Sequence, residues 1–453
     1  MAMRPLRNMV FSKVDGWQSN AFPAATLSTP VGMTRFPDRI TPTPFQHTLR
    51  KKRGGTLLFT TKRPLLRPSI LFIFLISWLL TGCAARANTE NWPGLTANGS
   101  TVYVAYGPAV VAYDAVAQQS QWVFRPENRA LHINAAPSVQ DGRVIFGDYG
   151  AAGGMFSPTI IVTVYGLQEN GTPAPTTLWT NNAAATDKVI AAPLQVGDTV
   201  YVGTADNHLS ALDANTGVEK WRFGTSGPVW ATPTYHEGIL YITCMDKRVY
   251  ALDASTGSQL WQTQLEGAIS AQAIVDPAEK LVYVGAYNNA LHALDMETGN
   301  ERWRVEATNW IWSAPALVDG VLYFADSSAQ VFAVDAASGE KLWQVAINQM
   351  NESGGVANRV EIEGAIQASP VVADGVVYIA AEGNAATEEG LLVALNAETG
   401  AEIWQRTTRA PLFTTPVIVD NMIVVAMNSE LAVLAAYDRA TGTPKWSYVP
   451  VWE

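Results

Sequence analysis

From about residue 92 onward, apolar and polar residues alternate in short runs, and each run ends at Gly, Asp, Asn or Pro. The stretch 193–223, PLQVGDTVYVGTADNHLSALDANTGVEKWRF, is representative. In TVYVGT and HLSALDA the apolar positions fall on every second residue and β-branched side chains are frequent, which are strand signals and not helix signals. Turn residues separate the runs. The stretch therefore reads as four strands: PLQVGD, TVYVGT, HLSALDA and EKWRF.

The same pattern returns along the chain. ALDANTGVEKW at 211–221 is followed by ALDASTGSQLW at 251–261, ALDMETGNERW at 293–303, AVDAASGEKLW at 333–343 and ALNAETGAEIW at 394–404. Its final residue marks eight units, at Trp122, Trp179, Trp221, Trp261, Trp303, Trp343, Trp404 and Trp446, mostly 40–42 residues apart. The first and last units are worn and the second, VYGLQENGTPAPTTLW at 164–179, is the most divergent. The Asp of D-x-x-T-G can bond backbone N–H groups ahead of it, and the Gly can take the positive φ that closes the turn. Repeats of this length form stacked or radial arrays, and a repeated four-stranded sheet around a channel is a β-propeller. The expected fold is all-β: an eight-bladed β-propeller of four-stranded antiparallel blades over residues 92–453. The eight Trp serve as blade-docking residues, since an indole buries on the order of 200 Å².

Charge divides the chain in two. Residues 1–82 carry 12 Lys/Arg against Asp15 and Asp38, while the whole chain is at −10, so residues 83–453 sum to −20. Basic residues from Lys51 to Arg67 precede the apolar run from Ile70 to Leu80. That run is too short for a bilayer core, which needs ~20 apolar residues, and its flanks describe a secretory signal. LTGC at 80–83 resembles the lipobox of bacterial lipoproteins. That resemblance implies a diacylglyceryl thioether on Cys83, which would anchor the mature chain to a membrane. Residues 1–50 read as a disordered extension or a mis-assigned start, 51–82 as the signal peptide and 83–91 as the lipid-anchored linker. Cys244, after the strand-like ILYIT, reads as a small buried hydrophobe. The acidic mature chain argues against nucleic acid as a partner.

The motif Ala-x-Asp-x-x-Thr-Gly-x-x-x-Trp resembles that of the pyrroloquinoline quinone (PQQ) repeat family, over essentially all of 92–448. Two branches of the family share it: PQQ- and calcium-dependent alcohol dehydrogenases, and non-enzymatic propellers, chiefly the lipoprotein of the outer-membrane β-barrel assembly machinery. The resemblance to the first branch implies a pair of adjacent cysteines and a Glu/Asn/Asp calcium set. This chain has no Cys-Cys, and no matching acidic cluster stands out for an ion that takes six to eight oxygens. No PQQ, calcium, other cofactor, metal or catalytic residue is therefore expected. His208 and His292 read as a repeat echo, at equivalent places in two units.

What remains is a binding surface. With strands lettered A to D from the Pro-led strand, the A–B and C–D turns share one face, and the B–C and D–A loops share the other. Three insertions enlarge that second face: 148–159, 348–362 and 382–390. Function-bearing loops on rigid scaffolds follow this pattern. Candidate residues there are the aromatics Trp230, Trp310, Trp312 and Phe413, with Ile190, Ile269 and Ile366 filling the same slot in other units. The polar candidates are Asp206, Asp246, Arg248, Asp326, Glu388 and Glu389. The expectation is a monomeric, non-catalytic binding platform, exported to the bacterial cell envelope on the periplasmic face of the outer membrane or the cell surface. Its partner would be a protein, an outer-membrane β-barrel being the leading case. A cell-surface carbohydrate- or peptide-binding role is the alternative, with a PQQ-dependent dehydrogenase behind it.

Overall fold

A computed structural model describes residues 92–451, apart from 129–130, 153–159, 172, 350–359, 362–365, 384–388 and 430. The extension, signal peptide, Cys83 and linker lie outside the described residues, as does Glu388.

Eight four-stranded antiparallel sheets follow one another along the chain. Their first and last strands are Gly94–Asn98 and Gln119–Phe124 in blade 1, Ser138–Gln140 and Thr176–Asn181 in blade 2, and Leu194–Val196 and Glu219–Gly224 in blade 3. Blade 4 runs from Thr234–His236 to Gln259–Gln264, blade 5 from Ile274–Asp276 to Glu301–Glu306, and blade 6 from Ala316–Val318 to Lys341–Ala346. Blade 7 runs from Val371–Ala373 to Glu402–Thr408 and blade 8 from Val417–Val419 to Pro444–Tyr448. The A strands of successive blades lie against one another around the axis. The D strands are outermost and alternate exposed with half-buried, as in Lys341–Ala346.

Burial explains the sequence pattern. The B and C strands are sandwiched between neighbouring blades, so both of their faces are covered, as in Thr199–Thr204 and His208–Asp213. The core therefore lies between blades rather than within one. Tyr283, Leu291 and Ala293 of blade 5, for example, pack with Leu322, Phe324, Phe332 and Val334 of blade 6. Each fully buried Leu, Val or Phe of this kind contributes about 1.5–3 kcal/mol.

The repeat motif turns out to join blades. Trp221 pairs with Ala211 across a bulge in its own blade, but its indole lies over Gly257 in the T-G turn of the next blade. The same holds for Trp179 over Gly217, Trp261 over Gly299, Trp303 over Gly339, Trp343 over Gly400 and Trp404 over Gly442. These glycines have φ between 67° and 75°, and a Cβ on them would come within 2.5–2.9 Å of the ring. Glycine is thus required twice, by conformation and by space.

Each indole N–H also donates to a carbonyl at the same turn, from Trp179 to Ala214 (2.9 Å), Trp261 to Met296 (2.9 Å) and Trp343 to Ala397 (2.9 Å). A tyrosine of the B strand packs beside the Trp of its own blade, with Tyr201 and Trp221 ring centroids 5.7 Å apart. Blade 2, which lacks the T-G turn, substitutes a side chain. Trp122 Nε1 and Tyr103 Oη of blade 1 both donate to the Glu169 carboxylate, at 2.8 and 3.0 Å.

The ring closes between blades 8 and 1 without sharing a strand. Leu95, Val102, Val104 and Val111 meet Val419, Val424 and Leu434 in one apolar cluster. The turn that should receive Trp446 has Gln118 at φ 55° instead of Gly. Trp446 packs on Tyr113 at 5.1 Å, and its buried indole N–H has no hydrogen-bond partner.

Candidate functional site

The described B–C turns and D–A connections emerge on one face, where two of the three expected insertions begin as two-stranded ribbons. These are Ala151–Ala152 with Ile160–Ile161, and Asn348–Gln349 with Val360–Glu361.

Every D–A connection enters its A strand through a fully buried apolar residue: Ile133, Val189, Val229, Ile269, Ile311, Ile366 or Leu412. The residue after it occupies the inner rim. Counted this way, the rim slot holds Asn134, Ile190, Trp230, Ser270, Trp312, Gln367 and Phe413, and Trp92 takes it in blade 1. Ile269 and Ile366 are thus not rim residues, in correction of the sequence-based alignment; both are anchors in the inter-blade core. Two pairs of neighbouring rim residues touch. Trp92 and Phe413 have centroids 5.6 Å apart, and Ser270 Oγ donates to the Trp312 carbonyl at 2.9 Å.

Between blades 5 and 6 the rim rises into a stack of three rings. Tyr287, in the B–C turn of blade 5, lies between Trp310 (5.4 Å, 14°) and Trp312 (5.2 Å, 26°). Trp310 is 51% exposed. Its backbone is nonetheless fixed, because its N–H donates to Asn309 Oδ1 (2.8 Å) and its carbonyl accepts from Ser327 N (2.9 Å). The Tyr287 hydroxyl donates to Ser270 Oγ at 3.0 Å, and burial pushes its pKa up to about 12. Tyr287 escaped the sequence reading, although an aromatic residue inside a polar B–C turn was a visible signal.

The carboxylates have different work. Asp326 is fully buried and accepts from Thr308 N and Asn309 N of the D–A connection and from Ser328 N of its own turn, at 2.9–3.0 Å. Asp246 accepts from Ser226 N (3.0 Å) and the Tyr250 hydroxyl (2.5 Å), with Arg248 at 3.6 Å. Asp206 holds Thr186 N at 2.6 Å and pairs with His208 at 2.9 Å. Burial pushes the Asp206 carboxyl up, but bonds from Thr186 and Thr204 and the neighbouring His208 together outweigh it and hold the carboxyl below its ordinary value. All three tie a loop to a turn, leaving Trp310 as the exposed member of the described candidates. Glu389 is described and half-buried.

His208 and His292 are not equivalent, in correction of the sequence reading. His208 opens its C strand opposite Thr204, whereas His292 sits opposite Val284 in the middle of its own. His292 is buried against Glu301 at 2.6 Å. Among the described residues no group of three His, Cys, Asp or Glu side chains could hold a metal ion.

A family model described as outer membrane protein assembly factor BamB matches residues 163–280, 246–357 and 346–451. Among curated proteins, BamB of Shewanella oneidensis is 32% identical over 135 residues, 30% of this chain and 31% of that protein. The quinohemoprotein alcohol dehydrogenase of Comamonas testosteroni is 28% identical over 157 residues, 32% of this chain and 21% of that enzyme. The matched stretches thus span a third or less of these relatives. Among solved structures, BamB from Moraxella catarrhalis superposes with a TM-score of 0.57 at 19% identity, covering 76% of this chain and 95% of that one. At that identity the likeness shows the fold alone.

Proposed function

We propose that this chain is a non-catalytic binding platform of the bacterial cell envelope and a scaffold in outer-membrane protein assembly, because the chain belongs to the outer membrane protein assembly factor BamB family. That membership, spanning blades 2 to 8, is the observation that carries the reading. The rigid loop face supports it: Trp310 is exposed on a backbone already ordered, so docking on it costs little further entropy. Aromatic anchors of this kind are enriched among interface hot spots.

In this reading Cys83 is lipidated and holds the propeller at the membrane, a single ring suffices, and the partner is a protein, an outer-membrane β-barrel first among the classes to test. Neither PQQ nor calcium is part of it. Affinity capture from detergent-solubilised membranes should recover a β-barrel protein with the wild type and much less with Trp310→Glu. Equal recovery with both, or recovery of no β-barrel, overturns the reading. Cys83→Ser should move the chain out of the membrane fraction.

The match to a quinohemoprotein dehydrogenase supports a second reading. Its test is the absorption spectrum of the purified protein after adding PQQ and calcium: a saturable bound-quinone band would favour the enzyme.

A further inference from the structure

A cleft of about 620 Å³ lies on the loop face across the closure seam, with walls from blades 7, 8 and 1. Trp92 and Phe413 supply tilted ring faces, 5.6 Å apart at 45°. Around them stand planar polar groups: Gln367, whose amide donates to Glu382 at 2.7 Å, the exposed Arg409, and Asn428. The Asn428 carbonyl accepts from the Tyr106 hydroxyl at 3.4 Å, which leaves its amide N–H groups to face a ligand.

We propose that this cleft is a saccharide-binding site. Two features of its lining favour a polyol. Aromatic faces offer apolar surface to the C–H side of a sugar ring, while side-chain amide, carboxylate and guanidinium groups supply the donors and acceptors that hydroxyl groups need. Every lining residue also lies outside the strands. A peptide would find no free sheet edge along the cleft to supply main-chain partners for strand addition. The mix of Arg409 and Glu382 gives no single-signed field that would select a strongly charged ligand.

The site is separate from the Trp310 stack of blades 5 and 6, so it stands or falls independently of the scaffold role. It also bridges the one junction that no blade-to-blade peptide connection spans among the described residues. Thr414 Oγ1 of blade 8 donates to the Pro93 carbonyl at 2.7 Å beneath the two rings, so a sugar resting on Trp92 and Phe413 would clasp blade 8 to blade 1. Ligands that bind only the folded ring raise its stability by mass action.

The test is calorimetric titration of the whole mature chain with chitotetraose and with maltoheptaose, alongside thermal melts. At least one oligosaccharide should bind saturably and raise the melting temperature. Phe413→Ala should weaken that binding by about tenfold or more. Because Phe413 also packs at the seam, Arg409→Ala is the second variant: an exposed side chain whose loss should spare the fold and still weaken binding. Trp310→Ala should bind as the wild type does. No saturable binding of either sugar overturns the proposal. So does sugar binding unchanged in both cleft variants, or cleft-dependent binding seen only with an unstructured peptide.

Discussion

Tyr201 and Trp221, side by side in blade 3, both donate to one acceptor in blade 4, the Ala254 carbonyl, at 2.9 and 3.2 Å. The arrangement recurs: Tyr241 and Trp261 share the Met296 carbonyl, at 3.4 and 2.9 Å, and Tyr378 and Trp404 share that of Arg439, at 3.3 and 3.0 Å. These three junctions are thus latched by two donors closing on one oxygen, with the indole face on glycine beneath. Removing one donor leaves the carbonyl partnered, so Tyr201→Phe should cost only about 1 kcal/mol. Trp404→Ala, which empties a buried site, should cost about 3–5 kcal/mol. Trp310→Ala on the loop face should cost less than about 1.5 kcal/mol, the worth of its ring contacts. Denaturant melts of the three variants give the order, and a Trp310 loss equal to that at Trp404 would contradict it.

The glycines of the latch and Gln118 at the seam make opposite predictions. Gly257→Ala forces a Cβ against Trp221 and should destabilise by about 1–3 kcal/mol, the cost of overpacking. Gln118 bears a side chain at φ 55°, a left-handed conformation costing about 1–2 kcal/mol for such residues. Gln118→Gly should therefore raise stability, by about 1 kcal/mol in chemical melts.

The T-G turns carry a pH signature. A hydroxyl bond from Thr298 holds Asp295 below its ordinary 3.8, and one from Ser338 does the same for Asp335. A depressed folded-state value means the stabilisation is complete above about pH 3.8 and fades as pH falls through the folded value. Asn396 makes the same turn in blade 7, accepting from Thr399 N and Thr399 Oγ1 at 2.9 Å, and has no proton to gain. In an acid titration followed by NMR, the amides of Thr298 and Ser338 should shift with midpoints below 3.8. The amide of Thr399 should not shift with them. Asp295→Asn should remove its own turn's contribution to the pH dependence.

Cys244 should be inert in the native protein. It is fully buried in the cluster between blades 3 and 4, its thiol donates to the Gly227 carbonyl at 3.1 Å, and burial pushes its pKa up to about 12. Alkylation at pH 8 should proceed only after denaturant unfolds the ring; rapid native labelling would refute the placement.

The propeller was legible because its punctuation is tied to backbone geometry: the D-x-x-T-G turns and a recurrent Trp admit few alternatives. The direction of the motif was not. Gly257 and Trp261 stand four residues apart in sequence, yet the ring that covers Gly257 is Trp221, and only the assembled ring shows it. The tyrosines of the B strands were hidden because alternation already accounts for them as apolar. The rim was misaligned at Ile269 by matching residues by size. Counting three residues back from each Pro finds Trp230, Trp312, Gln367 and Phe413, but blade 5 has Ala273 and blade 1 has Leu95 where the others have that Pro. The polar candidates looked alike in sequence, and only the partners of Asp206, Asp246 and Asp326 reveal them as fasteners.

Closure by side chains alone makes the molecule a split washer. Seven junctions carry a continuous peptide strap from one blade into the next, and the eighth has none within the described residues. It also lacks one rivet, the unpaired indole of Trp446. Blades 8 and 1 are therefore held by packing and side-chain bonds alone, so this seam can part without a peptide strap to hold it. Pulling the two flanking blades apart should open the ring there first, at lower force than any other junction, and whatever lies across the gap sets how tightly the washer is sprung.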